Sequence, residues 1–250
     1  MEDFNIVQIC EKVLDRLSKM DYERKSGTSL ERLIFPNIFP SKEISEKELE
    51  KQFRISEQEL RFLFVEEFLK AQNFFYSVET PTEFKYKFGD TFESIKCGEG
   101  RSASTDMSIF TRNDDNKYNR FLNIEFKNQN SSLFGIAKDV LKLIYEKQNG
   151  AFIILLKNTN TGTLCNNGNT GILDKLNKSF NRFRNYWQGD DKSIKLIILS
   201  LDQKDDSINS VLIHNTITKS INMENIFKHS GSGNILSIQG NGWEQYKINS

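Results

Sequence analysis

The sequence predicts an α/β fold, a mixed central sheet flanked by helices, and three observations lead there. Ala151–Leu156 (AFIILL) and Lys195–Leu201 (KLIILSL) are short, strongly apolar runs of the kind found in a sheet interior. Thr105–Thr111 (TDMSIFT) alternates, with Met107 and Ile109 on one face, and Phe121–Lys127 (FLNIEFK) follows it as a second strand across a polar loop. Stretches of helical periodicity precede and follow this pair.

In chain order, residues 3–25 form an amphipathic helix, with Ile6, Ile9, Val13, Leu14 and Leu17 at helical spacing. Ser26–Pro40 breaks it, punctuated by Pro36 and Pro40. Ser45–Glu48 and Ser56–Glu59 each spell the S-x-x-E capping pattern. The second opens a helix over residues 56–73. Leu60, Phe62, Leu63, Phe64, Val65, Phe68 and Leu69 make it apolar enough to predict burial on most sides. Its acids Glu59, Glu66 and Glu67 are therefore harder to place at solvent.

Phe74–Thr80 reads as the first strand, ended by Pro81, and a charged connection follows with an edge strand at Phe84–Phe88. After the two strands already described, Ser131 or Ser132 caps a helix over 132–148, striped with Leu133, Ile136, Ala137, Val140 and Ile144, and Gly150 stops it. Asn158–Gly171 is a polar loop. Ile172–Gly189 is a helix that interleaves Lys175, Lys178, Arg182 and Arg184 with Phe180, Phe183, Tyr186 and Trp187. That mixture suits phosphate contact and base stacking, and equally a helix that buries its aromatics and solvates its basic residues. Ser210–Thr216 is one more strand. The chain divides into an N-terminal helical extension (1–55), a core (56–157) and a C-terminal extension completing the same domain (158–250).

Composition narrows the function. Of the 250 residues, 37% are hydrophobic and 27% charged, as in a soluble globular protein, and the formal net charge is zero. That argues against a broadly basic nucleic-acid coat but leaves room for a local basic groove. Three scattered cysteines without a CxxC spacing argue against a disulfide framework, so a cytoplasmic setting is expected. No run reaches the roughly 18 apolar residues of a membrane span, and no signal peptide is visible. Two histidines are too few for a histidine-rich metal site.

The chemistry concentrates on Asp106, Glu125 and Lys127. Residues two apart in a strand share a face, so Glu125 and Lys127 leave the sheet together, and hairpin pairing sets Asp106 across from them. Two carboxylates within about 4 Å repel by about 4 kcal/mol at an effective dielectric of 20. A divalent cation relieves that repulsion. Mg²⁺ (or Mn²⁺) suits hard oxygen ligands and takes only one or two protein carboxylates. A solvated edge-strand pair is the bland alternative.

Asp106…Glu125-Phe126-Lys127, in the order helix, strand, strand with Asp, strand with Glu-x-Lys, helix, strand, resembles the PD-(D/E)xK nuclease superfamily over residues 56–157. The resemblance implies a restriction-endonuclease-like αβββαβ core and a metal-dependent endonuclease that hydrolyses phosphodiesters, chiefly in DNA, in a bacterial restriction or antiviral setting. It implies Asp106 and Glu125 as metal ligands, the Phe126 backbone carbonyl as a third, and Lys127 orienting the attacking water. Glu59, or Glu66 in its place, is the helix glutamate that joins them. Lys175, Lys178, Arg182 and Arg184 are the candidate nucleic-acid contacts. The implied partners are nucleic acid and a second copy or a companion protein of the same system, with no membrane. A catalytically inactive nucleic-acid-binding or assembly subunit of the same fold is the alternative. Thr105, where the family pattern has proline, is the one departure.

Overall fold

The computed structural model describes residues 4–23, 29–38, 53–71, 73–159, 162–201, 203–204, 207–208, 210–229, 231, 235, 238 and 240–248. The Ser45–Glu48 pattern lies outside them. The strands are β1 (Phe75–Lys87), β2 (Lys96–Cys97), β3 (Arg101–Arg112), β4 (Tyr118–Asn128), β5 (Asn149–Leu156), β6 (Ser193–Ser200), β7 (Gln203–Lys204), β8 (Ser207–Ile208), β9 (Ser210–Thr218) and β10 (Glu244–Ile248). All but β7 and β8, which pair only with each other, join one sheet in the order β10-β9-β6-β5-β4-β3-β1-β2. β4, β5 and β6 run parallel and the other neighbours antiparallel. The protein is thus α/β, a mixed sheet with helices on both faces.

The helices are α1 (Ile6–Ser18), α2 (Glu57–Phe68), α3 (Leu133–Tyr145), α4 (Ile172–Phe183) and the single turn α5 (Met223–Ile226). The two-residue period of β5 explains both cores. Ala151, Ile153 and Leu155 meet Leu14, Leu60 and Phe64 of α1 and α2, while Phe152 and Ile154 meet Ile136, Val140 and Phe180 of α3 and α4. A strand buried on both faces needs the continuous apolar run that the sequence supplies. Burying each Ile, Leu or Phe side chain of this set contributes about 1.5–3 kcal/mol.

Several elements differ from expectation. α1 ends at Ser18, short of residue 25, where Lys19 closes it with a backbone bond to Arg16. α2 ends at Phe68, and Phe62 and Leu69 are 59% and 63% exposed, so this helix is buried on one side only. β1 does not stop at Pro81. It continues to Lys87 through a register shift between Pro81 and Lys85, which absorbs the missing N–H, and so includes the expected edge strand. Ser132, not Ser131, caps α3, its Oγ accepting from Gly135 N at 3.0 Å. α4 stops at Phe183 and tightens into a 3-10 turn, Arg184–Tyr186. Among the described residues no helix is long and apolar enough to cross a membrane.

Candidate active site

The site sits where two central strands part. β3 pairs with β4 from Met107↔Ile124 to Arg112↔Tyr118, then stays with β1 while β4 stays with β5. Asp106 and Glu125 are the first residues beyond the last shared pair. Asp106 fills the gap with its side chain: Oδ2 accepts from the Phe126 backbone N–H at 2.7 Å, doing for β4 what a strand carbonyl would otherwise do. Its Oδ1 lies 2.5 Å from Nη2 of Arg61 on α2. Beside it, β1 carries Glu79 at φ 47°, a left-handed conformation that a non-glycine residue rarely adopts within a strand.

Glu125 points toward α3 and is completely buried, at 0% exposure. Its Oε1 lies 2.7 Å from Nζ of Lys142, while Oε2 is buried without a hydrogen-bond partner. Lys142 Nζ also lies 3.0 Å from Asp139 Oδ1 and donates to the Ser104 carbonyl at 2.8 Å. The other Asp139 oxygen lies 2.6 Å from Lys127 Nζ, which donates to the Phe126 carbonyl at 3.1 Å. Three acids (Asp106, Glu125, Asp139) therefore interleave with three cations (Arg61, Lys127, Lys142) around the start of the divergence.

The electrostatics follow from that packing. Burial pushes the Glu125 carboxyl well above the usual carboxylate range; the charges of Asp139 and Asp106 add to this and Lys142 opposes it. For Asp139, burial pushes up as well, but Lys142 and Lys127 outweigh it and hold the carboxyl low. For Lys127 and Lys142, burial pulls down, and the facing carboxylates more than reverse it. Both lysines stay charged.

No family model matches this chain, nor does any curated protein or solved structure.

Asp106, Glu125, Phe126 and Lys127 come together. Glu59 does not join them: its carboxylate accepts from the Ser56 backbone N–H at 2.7 Å and from the Ser56 hydroxyl, closing the capping box of α2. Glu66 points the other way and pairs with Arg16 at 2.7 Å. The α2 acid facing the patch is Glu57. Burial raises its carboxyl, Asp106 and Asp139 add to the rise, and Lys127 and Arg61 oppose it. The four basic residues downstream each make a hydrogen bond to a residue outside the patch. Lys175 donates to Asn130 and Ser131, Lys178 to the Asn169 carbonyl, Arg182 to the Glu93 carbonyl and Arg184 to the Lys219 carbonyl. Phe180, Phe183 and Trp187 are core residues, and of the four aromatics only Tyr186 is exposed, at 45%. The helix matches the aromatic-burying alternative and offers no stacking row.

Asp139, Lys142, Arg61 and Glu57 are the residues sequence reasoning missed. A signal existed for two of them. Ile136, Asp139 and Leu143 fall on one helical face, so Asp139 stands in line with the apolar stripe, with Lys142 one turn on.

Proposed function

We propose that this protein is a divalent-metal-dependent nuclease of the PD-(D/E)xK type, hydrolysing phosphodiesters, chiefly in DNA, in a bacterial restriction or antiphage defence setting. The observation that carries the reading is the meeting of Asp106, Glu125, the Phe126 carbonyl and Lys127 where β3 and β4 diverge. The run α2, β1, β3, β4, α3, β5, interrupted only by the two-residue β2, supports a restriction-endonuclease-like core.

The donor set fits Mg²⁺ or Mn²⁺. Among the described residues no three Asp, Glu, His or Cys side chains gather as a metal cage. Mg²⁺ does not require one, since it keeps most of its waters and takes one or two carboxylates. The buried, unpartnered Oε2 of Glu125 is an acceptor already desolvated for such a cation. When bound, the cation supplies charge neutralisation and acidifies water for attack on phosphorus. Asp106 and Glu125 would hold it, and the Phe126 carbonyl would add a hard oxygen. Lys127 donates to negative charge building on the phosphate. Asp139 positions Lys127 and keeps its ammonium protonated.

One observation favours a second reading. Each acid already has a cation within 2.7 Å: Arg61 for Asp106, Lys142 for Glu125 and Lys127 for Asp139. Self-neutralisation of this kind suits a non-catalytic nucleic-acid-binding or assembly subunit. Incubating plasmid DNA, single-stranded DNA and RNA with the protein in Mg²⁺, Mn²⁺ or EDTA separates the two. Metal-dependent cleavage lost in Lys127→Ala supports the nuclease. Absence of cleavage with every metal and substrate supports the subunit.

A further inference from the structure

The geometry points to Arg61 as the residue that grips the substrate phosphate, parked in the resting protein on the freer carboxylate oxygen of Asp106, the one open to a divalent cation. This inference rests on the nuclease reading and adds to it a substrate-binding residue and an order of events.

The two oxygens of Asp106 are differently engaged. Oδ2 is committed to the Phe126 N–H at 2.7 Å, which holds the ends of β3 and β4 together. Oδ1 carries no backbone bond and is the freer of the two to turn to a cation, and it is 2.5 Å from Nη2 of Arg61. A cation entering there meets the guanidinium charge and displaces it from Oδ1.

Arg61 has somewhere else to go. Its other two carboxylate neighbours are looser ion pairs: Glu57 lies 3.4 Å from Nε and Glu79 lies 3.6 Å from Nη1. Neither makes a well-formed hydrogen bond, and Nε is buried without a hydrogen-bond partner. The guanidinium thus has unused donors in a fork that matches two phosphate oxygens. Its Cζ lies 5.7 Å from the centre of the Phe126 ring, which orients it over the motif while the side chain remains 21% exposed. Glu57, Glu79 and Asp106, from α2, β1 and β3, make a loose collar that keeps the arginine at the site after Oδ1 lets go. The cation and the arginine compete for one oxygen, so loading the site frees the phosphate contact at the moment the substrate needs it.

The test compares wild type, Arg61→Gln, Arg61→Lys and Asp106→Asn in two binding measurements. Mn²⁺ affinity is read by calorimetry, and affinity for a fluorescein-labelled DNA duplex is read by anisotropy in Ca²⁺, which occupies hard-oxygen sites. The expected result is Mn²⁺ binding about tenfold tighter in Arg61→Gln, and duplex binding about tenfold weaker. Arg61→Lys, which keeps the charge without the fork, retains wild-type Mn²⁺ affinity yet loses duplex affinity; it carries the test if circular dichroism shows Arg61→Gln unfolded. Mn²⁺ binding lost in Asp106→Asn but unchanged or weakened in Arg61→Gln overturns the competition and spares the nuclease reading. Unchanged duplex affinity in both Arg61 variants overturns the phosphate contact. Absence of Mn²⁺ binding in every protein, wild type included, overturns the nuclease reading and this inference with it.

Discussion

Lys142→Met exposes the energetics of the site most clearly. Lys142 is the cation at 2.7 Å from a completely buried carboxylate, so its removal leaves Glu125 without a counter-charge. Breaking a buried pair from one side costs about 3–5 kcal/mol. The lower end applies here, because burial already pushes the Glu125 carboxyl up and it can take a proton rather than remain a bare charge. Loss of the bond to the Ser104 carbonyl, at 2.8 Å, contributes about another 1 kcal/mol. The total is about 4 kcal/mol, or about 8–16 °C in Tm for a chain of this size.

The sign with pH is distinctive. A carboxyl raised by folding binds its proton more readily in the native than in the unfolded chain. Stability is therefore lost as pH rises from the unfolded value of about 4.5 through the raised folded value. Lys142 offsets part of that loss. The deficit of Lys142→Met is thus smaller at pH 5 than at pH 8, and adding Glu125→Gln restores about half of it at pH 8. Urea denaturation of the three proteins at both pH values is the assay. A deficit below about 1 kcal/mol, or one equal at the two pH values, refutes the reasoning.

Three further outcomes follow from the same geometry. Lys127→Ala abolishes cleavage while Mn²⁺ binding persists, as comparison of calorimetry with a plasmid-nicking assay will show. Glu59→Ala lowers stability by about 1 kcal/mol through loss of the α2 capping box and leaves Mn²⁺ affinity unchanged, whereas Glu57→Gln shifts that affinity. Lys192 is buried against the Ile144 and Glu146 carbonyls at the end of α3, and burial lowers its ammonium to about 7, the Glu146 charge opposing. The folded chain then binds fewer protons than the unfolded one between about pH 7 and 10.5. Wild-type stability therefore gains on Lys192→Met over that window, by up to about 5 kcal/mol, and parallel pH profiles contradict it.

The sequence made the β3, β4 and β5 strands legible because their signals are local, alternation and an apolar run, whereas it narrowed the α3 cap only to Ser131 or Ser132. Pro81 misled because its cost was judged without the neighbouring register shift, which depends on β3. Glu59 misled for a different reason. The same glutamate satisfies a capping box or a metal site, and only the phase of α2 against the sheet turns Glu57 inward instead. Asp139 and Lys142 are polar by type and buried by tertiary packing, so their role emerged only once α3 lay across Glu125. The basic residues of α4 suited a ligand surface and an aromatic-burying helix equally, and only tertiary packing shows Phe180, Phe183 and Trp187 buried.

The most direct measurement of the central claim is an anomalous difference map from crystals soaked in Mn²⁺. The account predicts one strong peak bounded by Asp106 Oδ1, a Glu125 carboxylate oxygen and the Phe126 carbonyl, with Arg61 displaced from Asp106. Saturating Mn²⁺ that leaves the Arg61–Asp106 and Lys142–Glu125 pairs intact, with no peak between the two strands, contradicts it.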